Sequence, residues 1–284
     1  MVFLVAWVRR ELSALGIPPL KRLGQHFLVD RKVRAEMIEV AALSGKDTVL
    51  EVGPGLGFLT AHLAERSGRV IAIEKDRTLA KYLKDRLSGY RNVTVIEGDA
   101  LTVDMPNYTK IVSTPPYNIS SKLILLVLQS HYELASLLLQ QEFARRLTAL
   151  SGSSDYGRLT VMLQCRAEAK LVTHVPRSAF YPNPRVDSAL VTITPMREKP
   201  AITDMGLFED LVRSFFTQRR RRLRGVLTRY MRDRYADKFQ PILQRVYVPE
   251  KRVFETSVQE LVNLSNEIAD TATRFQSEGS SNGN

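Results

Sequence analysis

The amino-acid sequence predicts an α/β fold followed by a small helical C-terminal domain. Between residues 48 and 139, short apolar runs alternate with amphipathic stretches, a pattern typical of βαβ units around a parallel sheet. A glycine-rich turn, Glu-Val-Gly-Pro-Gly-Leu-Gly at residues 51–57, follows the first apolar run. Such a turn between strand and helix indicates a Rossmann-like, doubly wound sheet. Beyond residue 204, apolar residues recur at helical spacing instead.

The predicted elements follow one another in a regular order. The apolar residues 1–8 precede Arg9 and Arg10 and predict a short amphipathic helix, since a signal peptide would carry its positive charge first. Strands are predicted at residues 48–52, 69–74, 93–97, 110–113, 134–139 and 189–194. Helices are predicted at residues 58–65, 76–87, 122–129, 207–216, 223–235 and 258–268.

These elements divide the chain into two domains and a tail. Residues 1–196 form the predicted sheet domain, and the proline-flanked residues 195–203 read as a linker. Residues 204–270 form the predicted small helical domain. Residues 271–284 are expected to be a disordered tail, because the end of the chain has too little apolar content to order itself.

Composition narrows the class of partner. The net charge is +11 and the pI about 9.8, which favours polyanions, nucleic acid before membrane. The single cysteine, Cys165, excludes an internal disulfide and suits the reducing cytoplasm. No apolar run reaches the roughly 18 residues that a membrane span needs. No metal site is indicated, because the histidines are scattered without ligand spacing: His26, His62, His131 and His174.

Three strand-end features predict a nucleoside cofactor. Gly53 and Gly55 allow a sharp turn and close approach of a ligand, but the third glycine comes one residue earlier than in the dinucleotide fingerprint. S-adenosylmethionine carries no phosphate, so it needs close approach without an anion cradle. Glu74 ends the second strand, where a carboxylate can accept both ribose hydroxyls. Asp99 follows the third strand and can accept from the adenine amino group.

The Thr-Pro-Pro-Tyr segment at residues 114–117 predicts the methyl acceptor. It follows a predicted strand, so it lies at the carboxyl edge of the sheet, where open α/β sheets bind ligands. Tyr117 offers a face on which a flat base can stack, and a carbonyl in the Pro115–Pro116 turn can accept from its amino group. The pattern therefore indicates methyl transfer to an exocyclic amine. The alternative is a proline-rich loop whose tyrosine only packs.

An arginine-rich segment predicts contact with RNA phosphates. Arg219, Arg220, Arg221 and Arg222 are consecutive, and residues 213–234 contain a single acid, Asp233. Arginine forks match phosphate oxygens well. The alternative is an ordinary solvated face, although the acids that would balance it are missing.

Further motifs show a family resemblance. The chain resembles the KsgA family of ribosomal RNA adenine N6-dimethyltransferases, in its archaeal-type small-subunit form, from residue 21 to about 269. The matching segments are residues 21–28, 51–57, 98–99, 156–159, 180–188 and 215–220. The resemblance implies methylation of N6 of two adjacent adenosines in the 3′-terminal hairpin of small-subunit rRNA during ribosome biogenesis. The implied partner is the immature small subunit. The protein is expected to be a monomer and to bind neither a membrane nor a metal.

The resemblance also assigns site residues. It implies that His26, Leu28, Gly53, Gly55, Glu74, Asp99 and Thr114 bind the cofactor. It implies that Thr114, Pro116 and Tyr117 form the catalytic loop and that Phe180 covers the other face of the base.

One departure leaves alternatives open. The family's loop usually reads Asn-Leu-Pro-Tyr, whereas here threonine stands first. A threonine hydroxyl is shorter and must turn its own hydrogen away before it can accept, so slower or single methylation is the hypothesis. An antibiotic-resistance enzyme acting on large-subunit rRNA, and an assembly checkpoint factor with weak catalysis, remain alternatives. A mitochondrial transcription-factor relative would need a targeting peptide.

Overall fold

The computed structural model of the chain describes residues 2–17, 25–236 and 239–281. The first part of the 21–28 motif, residues 21–24, lies outside this described part. One compact unit comprises the chain up to Arg145 together with Ala167–Pro195, and the other comprises Arg146–Arg166 and the chain from Met196 onward. Among the described residues, no helix is both long and apolar enough to cross a membrane.

The first unit is built on a seven-stranded sheet in the order β4-β3-β2-β5-β6-β9-β7. The strands are β2 Thr48–Val52, β3 Arg69–Glu74, β4 Val93–Glu97, β5 Lys110–Ser113, β6 Leu134–Gln140, β7 Ala167–Val175 and β9 Ser188–Pro195. Neighbours from β4 to β6 pair in parallel, as the sequence predicts. Strand β9 is antiparallel to both β6 and β7. A separate antiparallel pair joins β1 (Phe27–Leu28) to β8 (Phe180–Tyr181).

Helices cover the sheet, and their apolar faces form its core. The helices are α1 Val2–Ala14, α2 Arg31–Ala41, α3 Phe58–Ala64, α4 Arg77–Arg86, α5 Ser120–Gln129 and α6 Gln141–Leu147, which crosses into the second unit. The predicted N-terminal helix is confirmed: Val8 and Leu12 of α1 are buried in one cluster with Phe27, Leu56 and Leu79. Helix α1 therefore packs against the glycine turn that precedes α3.

Strand β7 and helix α2 are among the elements that the sequence pattern does not predict. Strand β7 lies at the edge of the sheet, and only its end residues Ala167 and Val175 are buried. The strand also bulges between Leu171 and Thr173. An apolar run is therefore absent, since an edge strand needs little burial. Helix α2 carries a recognisable start signal, because the Asp30 side chain accepts from the backbone N–H of Lys32 and of Val33.

Residues 146–166 belong to the second unit and not, as predicted, to the first domain. Their helix α7 (Arg158–Gln164) packs against α8 (Met205–Phe216). Arg166 adds an ion pair, with its Nη2 3.0 Å from Oε1 of Glu209. The sequence predicts a single domain boundary, but the chain leaves the sheet after β6 and returns to it at β7.

The second unit continues through α9 (Leu223–Tyr235), α10 (Phe239–Gln244) and α11 (Val258–Ser281). Residues 271–281 are helical and not disordered as predicted, because α11 continues past residue 270. The extension is held by side-chain contacts: Thr273 Oγ1 donates to the carbonyl of Ala269, and the guanidinium of Arg245 lies 4.5 Å from the Phe275 ring. Residues 282–284 lie outside the described part. Cys165 is buried, in line with a structural thiol.

Candidate active site

The sheet topology brings the predicted site residues to one edge. Strand β2 lies between β3 and β5, so the strand order reverses beside it. Ligands of open α/β sheets bind at such a switch point, outside the carboxyl ends of the strands. Gly53 follows β2, Asp99 follows β4 and Thr114 follows β5, while Glu74 ends β3.

The glycine turn has no space for side chains. Gly53, Gly55 and Gly57 have φ angles of +72°, +60° and +77°, the left-handed region that favours glycine. A Cβ atom on Gly53 would lie 3.1 Å from Pro116 Cδ, and one on Gly55 would lie 3.0 Å from the ring of Phe27. The turn is therefore packed directly against the Thr-Pro-Pro-Tyr loop and against β1.

Glu74 is aimed at the glycine turn. Its Oε2 accepts from the backbone N–H of Gly55 at 3.2 Å, and its Oε1 accepts from that of Asp76 at 2.9 Å. The side chain is buried, and burial raises the pKa of this carboxyl above its usual range while the backbone donors oppose the rise. A fixed carboxylate with free lone pairs can accept from a vicinal pair of hydroxyls.

Asp99 occupies the next strand end. Its Oδ2 forms an ion pair with Lys75 Nζ at 2.8 Å, and its Oδ1 accepts from the backbone N–H of Leu101 at 2.9 Å. The hydrogen bond from Lys75 holds the pKa of this carboxyl below its usual range. Asp99 is therefore an ionised acceptor at neutral pH, suited to an amino group.

Two adjoining clefts open at this edge. The larger has a volume of about 440 Å³ and is lined by Glu74, Asp99 and Asn118 among others. The smaller, of about 60 Å³, is lined by His26, Thr114, Tyr117 and Phe180 among others. Both clefts share four lining residues: Gln25, Gly53, Glu74 and Pro116. A ligand in the larger cleft can therefore reach one in the smaller.

The smaller cleft is aromatic and rigid. Tyr117 shares a hydrogen bond of 2.6 Å with Ser188 Oγ on β9, and its ring stacks with His26 at a centroid distance of 5.9 Å. Burial raises the pKa of the Tyr117 hydroxyl, so it stays protonated. His26 is itself fixed, because its Nδ1 lies 2.8 Å from the carbonyl oxygen of Pro182.

Comparison with known proteins identifies the family to which the chain belongs. The family description "Ribosomal RNA adenine dimethylase" matches residues 20–270 of the chain. The chain belongs to this family. It is accordingly an S-adenosylmethionine-dependent adenine dimethyltransferase of ribosomal RNA, and the KsgA resemblance is confirmed.

Relatives of this dimethylase span nearly the whole chain. A probable ribosomal RNA small subunit methyltransferase A of Pyrococcus abyssi is 40% identical over 260 residues, which is 89% of this chain and 93% of the relative. The corresponding Methanothermobacter thermautotrophicus protein is 39% identical over 265 residues, covering 92% and 95%.

Solved structures agree on the fold. A dimethyladenosine transferase from Plasmodium falciparum has a TM-score of 0.77 at 28% identity, covering 87% of this chain and 98% of that one. The 23S rRNA methyltransferase ErmE has a TM-score of 0.65 at 32% identity, covering 86% and 99%.

The clefts of the dimethylase fit the cofactor. The larger one offers a carboxylate beside a glycine turn that excludes side chains, and a second carboxylate one strand away. Bound there, S-adenosylmethionine supplies an electrophilic methyl group on a sulfonium. Within the described part of the chain, no group of three or more His, Cys, Asp or Glu side chains could hold a metal ion.

Of the residues predicted for the cofactor and acceptor sites, all but Leu28 line the two clefts. Leu28 is instead a core residue with 6% exposure, and its carbonyl accepts from Nη1 of Arg34 at 2.7 Å. It pairs with Phe180 of β8. The sequence reading missed Gln25 and Asn118, because only their position in the fold distinguishes them from other polar loop residues.

Arg219 is predicted to contact RNA, but its side chain is engaged within the protein. Its Nη1 donates to the carbonyl of Ser154 at 2.8 Å and its Nη2 to that of Ser153 at 3.1 Å, while the guanidinium lies 5.6 Å from the Phe254 ring. Arg220, Arg221 and Arg222 are exposed. The sequence could not separate the first arginine of the run from the other three.

Proposed function

We propose that the chain methylates N6 of two adjacent adenosines in the 3′-terminal hairpin of small-subunit rRNA, in the cytoplasm, during subunit assembly. The observation that carries the proposal is the small aromatic cleft, lined by the Thr-Pro-Pro-Tyr loop, that adjoins the cofactor cleft. The names of its relatives support the small subunit as substrate.

The loop can activate an aromatic amine without a strong base. The lone pair of such an amine is delocalised into its ring, so acceptors on its N–H groups are needed to localise it. The Pro116 carbonyl already accepts from the backbone N–H of Ile119 at 3.1 Å, and its second lone pair can accept from N6. Thr114 Oγ1 supplies the second acceptor once its hydrogen is turned away. The proton leaves N6 after the methyl group is transferred.

Aromatic side chains hold the base in position. Tyr117 and Phe180 line the same small cleft, and a base stacked on an aromatic ring gains about 1–3 kcal/mol. The bonds from Tyr117 to Ser188 and from His26 to Pro182 fix this surface before RNA binds. Because the target base must leave its stack to enter the cleft, we expect it to be extruded.

Exposed arginines of the second unit supply the phosphate contacts. Arg220, Arg221 and Arg222 leave their guanidinium groups in solvent, where each can contact a phosphate bidentately. Binding through them depends on counterion release, so affinity falls steeply with salt.

Labelled S-adenosylmethionine tests which subunit is methylated. The purified protein is incubated with unmethylated small subunits and, separately, with unmethylated large subunits, and label in the rRNA is counted. Label in the small subunit supports the proposal. Label confined to the large subunit would show that the protein is instead a methyltransferase of large-subunit rRNA. The 32% identity to ErmE is the observation that favours this alternative. Tight binding without label would establish an assembly checkpoint factor.

A further inference from the structure

Tyr247 is an aromatic side chain held out in solvent by a fixed backbone. Its side chain is 75% exposed, and among residues whose side chains the structure describes it is the only exposed aromatic. The neighbours Val246 and Val248 are buried, with 6% and 3% exposure. The backbone N–H of Tyr247 donates to Oε2 of Glu267 at 2.8 Å. The ring is therefore presented to solvent without a flexible segment beneath it.

The chain beyond Tyr247 pairs with the arginine-rich segment. Arg222 and Arg252 form an antiparallel bridge. The backbone N–H of Leu223 donates to the carbonyl of Lys251 at 2.8 Å, and that of Val253 donates to the carbonyl of Arg221 at 3.1 Å. Arg252 Nη1 also donates to the Arg220 carbonyl at 2.9 Å. These bonds lock the two segments together.

The paired segments form a basic surface, which residues 248–251 connect to Tyr247. Arg220, Arg221 and Arg222 are exposed, and Arg252 lies opposite the last of them. Arg252 is five residues from Tyr247, which limits the distance between their Cα atoms to about 18 Å. The intervening Glu250 is an exposed acid, and Lys251 is paired with Glu260 at 2.6 Å. The arginines thus supply the unpaired positive charge.

We propose that Tyr247 is a stacking platform for an unpaired nucleobase of the RNA whose phosphates are held by Arg220, Arg221 and Arg222. An aromatic ring beside a phosphate-binding surface is the combination by which proteins hold single-stranded nucleic acid. This second base site lies in the second compact unit and is separate from the methyl-acceptor cleft of the first. The inference rests on the proposed phosphate contacts, so its test must distinguish a loss of stacking from a loss of phosphate contact.

Binding of a single-stranded oligoadenylate containing 2-aminopurine, measured across a salt series, is the test. Tyr247→Ala is expected to weaken binding of the full chain by about 5- to 100-fold and to abolish the 2-aminopurine quenching. The slope of log affinity against log salt is expected to stay unchanged, because no phosphate contact is lost. Tyr247→Phe should bind as the wild type does, and Tyr247→Leu, which keeps the apolar bulk without a π face, should behave as Tyr247→Ala does.

Arg221→Ala separates this inference from the proposed function. It is expected to lower the salt slope by about 0.7, one phosphate contact with a single strand, while leaving the quenching by bound base in place. If Arg221→Ala lowers the salt slope but Tyr247→Ala binds as the wild type does, the stacking site alone is overturned. An unchanged slope in Arg221→Ala would overturn the phosphate surface on which the inference rests. Equal binding by Tyr247→Leu and wild type would replace stacking with simple apolar contact.

Discussion

At the scale of single residues, the cofactor site depends on backbone that only glycine fits. Gly55 combines a φ of +60° with a missing Cβ that would touch the Phe27 ring at 3.0 Å. Gly16 has nearly the same φ, +64°, but open space around it. The two positions therefore separate the conformational cost of a side chain from its steric cost.

Gly55→Ala is expected to weaken S-adenosylmethionine binding about tenfold or more, because displacing the turn breaks the bond from its N–H to Glu74. Calorimetric titration measures the affinity. Gly16→Ala should cost about 1–2 kcal/mol of stability through its left-handed backbone and leave cofactor affinity unchanged. Equal affinities for the two variants would contradict the close-packed turn.

Glu74→Gln is expected to weaken cofactor binding about 10- to 100-fold, because the charge is lost and an NH2 group replaces one of the two oxygens that accept from Gly55 and Asp76. Burial raises the pKa of Glu74, and binding needs the ionised form. Wild-type affinity should therefore fall on acidification, beginning above the usual carboxylate range, and the Gln variant should lack this dependence.

Glu97→Gln is the matched control, since Glu97 also ends a strand but is exposed and makes only a long ion pair with Arg77 at 3.9 Å. It should keep wild-type affinity. A similar loss in both variants would show that the effect is not specific to Glu74.

Glu51 carries a buried carboxyl that opposes stability at high pH. Its exposure is 1%, and burial raises its pKa to about 8 from 4.5. Between these values the unfolded chain is ionised and the folded chain is protonated. The stability that this group contributes is complete below pH 4.5 and is lost as pH rises towards 8.

Glu51→Gln removes this loss. Relative to the wild type, the variant is expected to gain about 1.4 kcal/mol of unfolding free energy per pH unit between these pKa values and no more above them. Urea unfolding at a series of pH values measures the difference. A difference that does not vary with pH would mean that Glu51 ionises normally.

At the scale of elements, the strand ends were predictable and the supporting contacts were not. The apolar runs of β2 to β5 and the residues that follow them place Gly53, Glu74, Asp99 and Thr114 at one edge, because parallel strands share their carboxyl edge. Leu28 could not be placed from sequence, since its motif does not show which side chain faces the core. Tyr117 was predicted, but its partner Ser188 comes from β9, 71 residues away.

Thr114, the unusual first residue of the catalytic loop, can be tested by substitution. Thr114→Asn is expected to raise the proportion of dimethyladenosine over monomethyladenosine, because an amide oxygen accepts from N6 without first turning a hydrogen away. Nucleoside mass analysis at fixed times measures the ratio, and Thr114→Val is the control that removes the acceptor. An unchanged ratio in Thr114→Asn would show that threonine already serves fully.

The arginine-rich segment divides into structural and exposed members. Arg219→Ala is expected to cost about 1.5–3 kcal/mol of stability, because Ser153 and Ser154 lose their charged donor. Arg221→Ala should leave stability within about 0.5 kcal/mol of the wild type, as exposed substitutions do. Thermal unfolding of both variants checks the contrast. The reverse order would contradict the division.

At the scale of the whole molecule, the composition indicates that the partner is a polyanion, and the fold places the clefts in which methyl transfer can occur. The net charge of +11 indicates a polyanion but not the base that reacts. The sequence predicts one boundary near residue 196, whereas the structure groups residues 146–166 with the second unit. A chain that leaves a sheet and later returns to it gives no signal in its composition. The sequence also does not predict the extension of α11 past residue 270, where Phe275 contacts Arg245 from another helix end.

We propose that methyl transfer in these two clefts modifies N6 of adjacent adenosines in small-subunit rRNA. Mass analysis of adenosines from unmethylated small subunits, incubated with the protein and S-adenosylmethionine, tests it most directly. We expect N6-methylated adenosine at two adjacent positions of the 3′-terminal hairpin, with Glu74→Gln reducing the yield at limiting cofactor. Unmodified adenosine at both positions, while cofactor and subunits bind normally, would contradict it.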